Sequence, residues 1–230
     1  MNTEIITTED GSHSIRNVAM DETYHSIHGA RQESTHVFIN NGLDYFASTN
    51  NKEEIKILEV GFGTGLNALL ALQYADKSNR KISFKTIEAY PLSESVWNQL
   101  NYGDQLEQSK KHFTLLHTAK WGGPVSITPF FSIEKIKSDL QLVTLREKEY
   151  DLVFYDAFAP SKQPEMWEFP LIEKVVKAMN DGAVFVTYSA KGQLKRDLRA
   201  LDLLVESPPG PPGKLQMVRA TKAKTGRTFR

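Results

Sequence analysis

The chain has 230 residues, 28 of them basic and 28 acidic, so its formal net charge is zero; 40% are hydrophobic and 24% charged, ordinary globular values that exclude a mainly disordered chain. Cysteine is absent, which excludes disulfides, thiolate metal centres and a cysteine nucleophile. No stretch approaches the ~18 consecutive apolar residues of a membrane span, and the polar start MNTEIITTEDGSHS lacks the basic head and apolar middle of an export signal, so a soluble cytoplasmic protein is expected.

Residues 1–50 read as an N-terminal extension that caps a pocket. Ile5 to Thr8 and Ser14 to Val18, joined through Gly11 and Ser12, predict a small hairpin. Tyr24, His25, His28, Arg31, Glu33 and His36 then crowd into thirteen residues. No pair has the H-E-x-x-H spacing that puts two imidazoles on one helix face, so a capping helix and loop is expected rather than a metal site. Asn40-Asn41-Gly42-Leu43 reads as a turn into a further helix, Asp44 to Ser48.

The stretch ILEVGFGTGLNALLAL, Ile57 to Leu72, is an apolar run that breaks into Gly61, Gly63 and Gly65 and resumes with helical periodicity, which predicts strand, tight turn and helix. The free N–H groups of such a helix start favour a negative or polar ligand group. A dinucleotide fingerprint spaces its glycines G-x-G-x-x-G. Here the pattern is E-x-G-x-G-x-G, Glu59 through Gly65, which resembles the first motif of class I S-adenosylmethionine (SAM) methyltransferases.

Leu66 to Ala75 is then the first crossover helix, and Lys81 to Tyr90 the second strand. That strand ends at Glu88, placed to accept hydrogen bonds from both hydroxyls of a ribose. Val96, Leu100 and Leu106 mark interrupted helices, Trp121 is expected to pack rather than stack on a base, Val125 to Phe131 reads as the third strand, and Ile133 to Leu145 as a helix. Leu152 to Tyr155 is a compact central strand, so Asp156 and the loop Ala157 to Pro164 should face the same crevice as the glycine turn. A fixed carboxylate there suits transfer to an amine, because it can accept from N–H and aim the nitrogen lone pair; it can also simply cap the helix at Met166 to Met179.

Leu171 to Met179 ends at an Asn180-Asp181-Gly182 turn, Ala183 to Ser189 is the fifth strand, and Lys191 to Leu201 a basic amphipathic helix. Leu203 to Glu206 and Leu215 to Thr221, joined by SPPGPPGK, predict a closing antiparallel hairpin before a basic tail at 223–230. From Thr187 onward ten basic residues face three acidic ones, an asymmetry that either steers a polyanion to this side or is a solvated basic end.

Together YHSIHGARQESTHVFINNGL, LEVGFGTGLNALL, IEAYPL, YDLVFYDAFAPSKQPEMW, VTYSAKGQLKR and GPPGKLQMVRA resemble the SAM-dependent methyltransferase domain of the MnmC family of tRNA 5-methylaminomethyl-2-thiouridine biosynthesis proteins, over residues 20 to 221. The resemblance implies an α/β class I methyltransferase (Rossmann-like) fold over 51–222, with a mostly parallel seven-stranded sheet whose last strand is antiparallel. It implies methylation of the 5-aminomethyl group of the wobble uridine in a tRNA anticodon loop. By the same resemblance Glu59, Gly61, Phe62, Gly63, Thr64, Gly65, Asn67 and Glu88 would hold SAM. Asp156 would serve catalysis beside the cofactor, with Phe158 and Pro160 lining the amine site, and Tyr24, Ser26, Glu33, Lys191, Lys195 and Arg196 would contact the substrate. The FAD-dependent oxidoreductase half of the larger family members has no counterpart motif here, so a separate enzyme is expected to supply the aminomethyl substrate. An adenine-binding acid after the third strand is not evident, since Ser132 and Ile133 follow Phe131. A methyltransferase for small amines or protein side chains, and a non-catalytic tRNA-binding subunit, are the alternatives.

Overall fold

The computed structural model describes residues 3–104 and 107–223. Leu106 and the basic tail from Lys224 onward lie outside the described residues.

An antiparallel hairpin, β1 (Thr3–Thr7) and β2 (His13–Asn17), with a short third strand β3 (Glu22–Thr23), opens the chain. Helix α1 follows over residues 30–49, its middle ten residues Thr35–Asp44 wound as a π-helix between α-helical turns. The expected turn at Asn40 to Leu43 is therefore absent. Gly42 instead sits inside the helix, where a Cβ would lie 3.1 Å from Val186 Cγ2 and 3.3 Å from Phe154 Cε1. A glycine that reads as a turn in sequence is here the point of closest approach between helix and sheet.

The body is one eight-stranded sheet in the order β10-β11-β9-β8-β4-β5-β7-β6. Its strands are β4 (Glu54–Val60), β5 (Lys81–Glu88), β6 (Pro124–Thr128), β7 (Phe131–Lys137), β8 (Tyr150–Tyr155), β9 (Met179–Thr187), β10 (Leu203–Glu206) and β11 (Val218–Lys222). The five inner strands β9, β8, β4, β5 and β7 run parallel. β11 is antiparallel to both neighbours, which gives the class I methyltransferase sheet of seven strands, and β6 adds an antiparallel eighth at the far edge.

Helices α2 (Leu66–Ser78) and α4 (Glu107–Thr118), with the short α3 (Glu94–Trp97), sit in the first half of the sequence. In the second half come α5 (Phe169–Ala178) and α6 (Gly192–Ala200). Period-2 alternation sorts the strands into two cores. Ile57, Phe84 and Phe154 pack with α1, α2 and α4, while Val60, Tyr155 and Phe185 pack with α5 and α6. Every residue of β8 is buried, as befits a strand covered on both faces.

Three expectations are corrected beside the strands. Ile133 to Leu145 is not a helix: Phe131, Ile133 and Lys135 are buried while Ser132, Glu134 and Ile136 are not, a period of two, and the segment continues β7 before an irregular link to β8. The third strand expected at Val125 to Phe131 spans the turn between β6 and β7. Asn180 to Gly182 forms no helix-ending turn either; it enters β9 as an irregularity in the pairing with β8, with Gly182 at φ 80.

The chain moves outward from β4 through β5 to β7 on one side and from β8 to β9 on the other. The order thus reverses between β4 and β8, and the crevice beyond their carboxyl ends is where open α/β sheets bind ligands.

Candidate functional site

At that reversal a cavity of about 480 Å³ opens, within the range that holds a cofactor and part of a substrate. Its floor is made by backbone. Gly61 N–H donates to Ile87 O at 2.9 Å, and Asp156 N–H donates to Val60 O at 3.0 Å, which locks the ends of β4, β5 and β8 together. A Cβ on Gly61, whose φ is 91, would stand 2.7 Å from the carbonyl oxygen of Asp156. The glycine turn and the Asp156 loop are thus in direct backbone contact and wall one cavity.

Glu88 ties the turn to the second strand. Its Oε2 accepts the N–H of Gly63 at 3.0 Å and its Oε1 accepts that of Tyr90 at 2.8 Å. Asn67, in the first turn of α2, donates its Nδ2 to Asp156 Oδ2 at 2.8 Å, while its buried Oδ1 has no hydrogen-bond partner among the described residues. Burial pushes the Asp156 carboxyl up to about 7, the negative charge of Glu33 adds to this, and Asn67 and Lys214 oppose it.

Behind the turn stands a buried support. His117 Nε2 donates to Thr64 O at 3.1 Å, and its ring packs on Phe62 with centroids 5.2 Å apart. Lys135, with no exposed surface, donates to His117 O at 2.6 Å and lies 4.7 Å from the Trp121 ring centroid. Burial lowers this lysine to about 8 and His117 to about 3. Trp121 accordingly packs, as expected. His25 Nε2 lies 2.7 Å from Thr64 Oγ1, and burial drops this imidazole to about 4, so it braces the turn as a neutral ring.

The opposite end of the cavity is built by the N-terminal extension. Tyr24 meets Phe158 edge-on at 5.0 Å, and its phenol is raised to about 12 by burial and by Glu88. The carboxylate of Glu33, 5% exposed, accepts Ser26 N–H at 2.7 Å and pairs with Lys214. Lys162, in the Asp156 loop, donates to the carbonyls of Met20 and Asp21, each at 3.0 Å, and so fastens that loop to the extension.

Of the residues singled out from sequence, Gly61, Phe62, Gly63, Thr64, Asn67, Glu88, Asp156, Tyr24, Ser26, Glu33 and Phe158 line the cavity together. Six do not. Glu59 is fully buried behind the turn, where its Oε2 accepts from Thr86 Oγ1 at 2.6 Å, and burial lifts its carboxyl well above the usual range. Gly65, at φ 74, is the residue before α2, and a Cβ there would stand 2.8 Å from His117 Nε2. Pro160 lies in the loop beyond the wall. Lys191, Lys195 and Arg196 sit at the start of α6, away from the lining, where Lys195 bonds Gln216 Oε1 and Arg196 bonds Gln193 Oε1.

A family described as S-adenosyl-L-methionine-dependent methyltransferase matches residues 131–223. The tRNA 5-methylaminomethyl-2-thiouridine biosynthesis bifunctional protein MnmC of Pseudomonas syringae is 29% identical over 215 residues, which are 87% of this chain and 32% of that protein. The MnmC protein of Leptospira borgpetersenii is 30% identical over 210 residues, 86% of this chain and 32% of its own length. The crystal structure of MnmC2 from Aquifex aeolicus superposes with a TM-score of 0.79 at 23% identity, over 100% of this chain and 73% of that one. The chain is a relative of the MnmC proteins. It spans about a third of the length of the curated MnmC relatives it matches.

Within this MnmC-like frame the cavity also contains residues that sequence reasoning missed. Ser138, Asp139 and Leu140 line it, directly after β7. The alternation of Phe131, Ile133 and Lys135 was the available signal: carried forward, it ends the third parallel strand at Lys137 and leaves Asp139 as the acid that follows it. Lys214 and Tyr188 line the other end. Their signal is weaker, since only the glycine before Lys214 and the strand end before Tyr188 mark them in sequence.

Proposed function

We propose that this chain is a SAM-dependent N-methyltransferase that acts in the cytoplasm on the 5-aminomethyl group of the wobble uridine of tRNA and yields 5-methylaminomethyl-uridine. The observation that carries the reading is the contact of the Gly61 turn with Asp156, which gives cofactor and acceptor one shared cavity.

The residues present fit SAM. Glu88 lines the cavity with both oxygens held by backbone N–H groups, an orientation suited to a ribose diol. Asp139 with Leu140 offers an acidic and apolar surface for the adenine. When bound, SAM supplies an electrophilic methyl group on sulfur.

The acceptor must be a neutral amine. If it titrates like a lysine, at ~10.4, exposing its neutral form at pH 7 costs about 4 to 5 kcal/mol. Tyr24 and Phe158 enclose the acceptor end and disfavour the ammonium by desolvation. Asp156, poised at about 7, takes the proton from the ammonium, and its carboxyl then accepts a hydrogen bond from a remaining N–H, which orients the nitrogen and leaves its lone pair free to attack the methyl group. Asn67 fixes the carboxylate while it does so.

The flipped or unstacked base of an anticodon loop is accessible to a cavity of this kind, and the exposed basic residues of α6 serve as phosphate contacts that position without specifying. Methyl incorporation from labelled SAM into tRNA, measured against free small amines, tests the reading. Preference for free amines would favour the small-molecule alternative, and absence of SAM binding by calorimetry would favour a non-catalytic subunit.

A further inference from the structure

The proline-rich loop between β10 and β11 folds back onto the N-terminal extension at three points. Gly213, at φ 84, packs so tightly that a Cβ would stand 2.1 Å from His28 Cδ2. His36 Nε2 donates to Pro209 O at 2.8 Å. Between these contacts Lys214 enters the cavity, pairs with Glu33, and lies with its ammonium 4.2 Å from the centroid of the Tyr188 ring.

Three formal charges meet at this end of the cavity: Glu33, Lys214 and Asp156. Asp156 is faced by Glu33 from α1, Lys214 from the loop, Tyr188 from beyond β9 and Glu59 from β4, and α2 presents the neutral amide of Asn67. Tyr188 is committed elsewhere, its hydroxyl donating to Ala157 O at 2.9 Å. Burial lifts the Glu59 carboxyl well above the usual range and so disfavours a charge there. Lys214 is therefore the cation that offsets the second carboxylate.

We propose that Lys214 is a positioning residue that cancels the charge of Glu33, leaving Asp156 as the single net carboxylate of the acceptor end, matched to a substrate that arrives with one ammonium. This rests on the methyl-transfer reading above. Two carboxylates in one desolvated site share a proton, because both cannot ionise cheaply. Without Lys214, Asp156 would retain that proton at neutral pH and could not accept another from the amine. Without Glu33, Lys214 would face the incoming ammonium as an uncompensated like charge.

The test uses Lys214→Met, Glu33→Gln, the double variant and Lys214→Arg in the full chain. Asp156 is titrated in the free protein by NMR of ¹³C-carboxyl aspartate, and the pH–rate profile of methyl transfer is followed on tRNA carrying 5-aminomethyl-uridine. Lys214→Met is expected to raise the Asp156 midpoint by about one pH unit, which leaves about fivefold less ionised Asp156 at pH 7, and turnover should recover at higher pH. Glu33→Gln should lower the midpoint by a similar amount. The double variant should return to the wild-type midpoint, and Lys214→Arg should keep it, with SAM affinity by calorimetry within twofold throughout. A loop that only clamps would instead lower Tm and turnover at every pH, leave the midpoint where it was, and give no recovery in the double variant; that result would overturn the inference. Midpoints that move as expected in a protein that methylates no tRNA would support the charge arrangement and remove the methyl-transfer reading.

Discussion

At the scale of single residues, the site depends on a carboxyl group kept near neutrality by its surroundings. Asp156 is poised at about 7 chiefly by burial, so methyl transfer should rise as pH passes through that value and the group becomes able to accept a proton. Asp156→Asn keeps the shape and the contact with Asn67 but removes the base. It should lose at least a hundredfold in kcat, within the range typical of general-base loss, while SAM affinity measured by calorimetry changes only a few fold. The same variant should gain stability at alkaline pH. A carboxyl whose folded value lies above its unfolded value contributes fully below the unfolded value and loses that contribution as pH rises through the folded one. The Tm advantage of Asp156→Asn over the wild type should accordingly grow from pH 5 to pH 8, and a constant difference would show that Asp156 is not desolvated. Such a residue trades stability for activity.

At the scale of elements, glycine spacing, the acid at Glu88 and the strand-Asp156 junction were legible because each follows from a local rule: a turn that needs positive φ, a strand end, a sharply bounded apolar run. The segment after Phe131 was less legible. Its apolar residues satisfy a helical spacing nearly as well as an alternating one, and only pairing with β5 on one side and β6 on the other selects the strand. That shift in register hid Asp139. Gly42 was misread for a related reason, since its packing against Val186 and Phe154 is made by residues more than a hundred positions away. Lys214 was only weakly marked in sequence because its partner Glu33 lies at the other end of the chain. The loop that carries it makes a prediction at this scale. Gly213→Ala places a Cβ against His28 and strains a residue at φ 84, which should cost about 1 to 3 kcal/mol. Methyl transfer should fall further than stability, because Lys214 withdraws from Glu33. Thermal unfolding and turnover measured on one preparation would check this, and a fall in Tm with unchanged turnover would mean that the loop has no part in the site.

At the scale of the whole molecule, net charge is zero but the distribution is not. Several basic residues of the C-terminal part are spent internally: Arg219 on Glu206, Lys222 on the carbonyls of Val176 and Met179, Lys214 on Glu33. What remains for an external polyanion among the described residues is concentrated on α6, where Lys191, Arg196 and Arg199 are exposed. Replacing Lys191, Lys195 and Arg196 by alanine should weaken tRNA binding and flatten its dependence on log salt by about two to three. SAM affinity should stay unchanged. An unaltered slope would move the tRNA-binding face elsewhere. If one cavity joins SAM to an amine on the wobble base, nucleoside mass spectrometry of the product reveals it. tRNA bearing 5-aminomethyl-uridine is incubated with SAM and either the wild-type chain or Asp156→Asn, then digested. The wild type should yield 5-methylaminomethyl-uridine at the wobble position and the variant almost none; an unchanged wobble nucleoside from a wild-type protein that binds SAM would rule out a cavity shared by cofactor and amine.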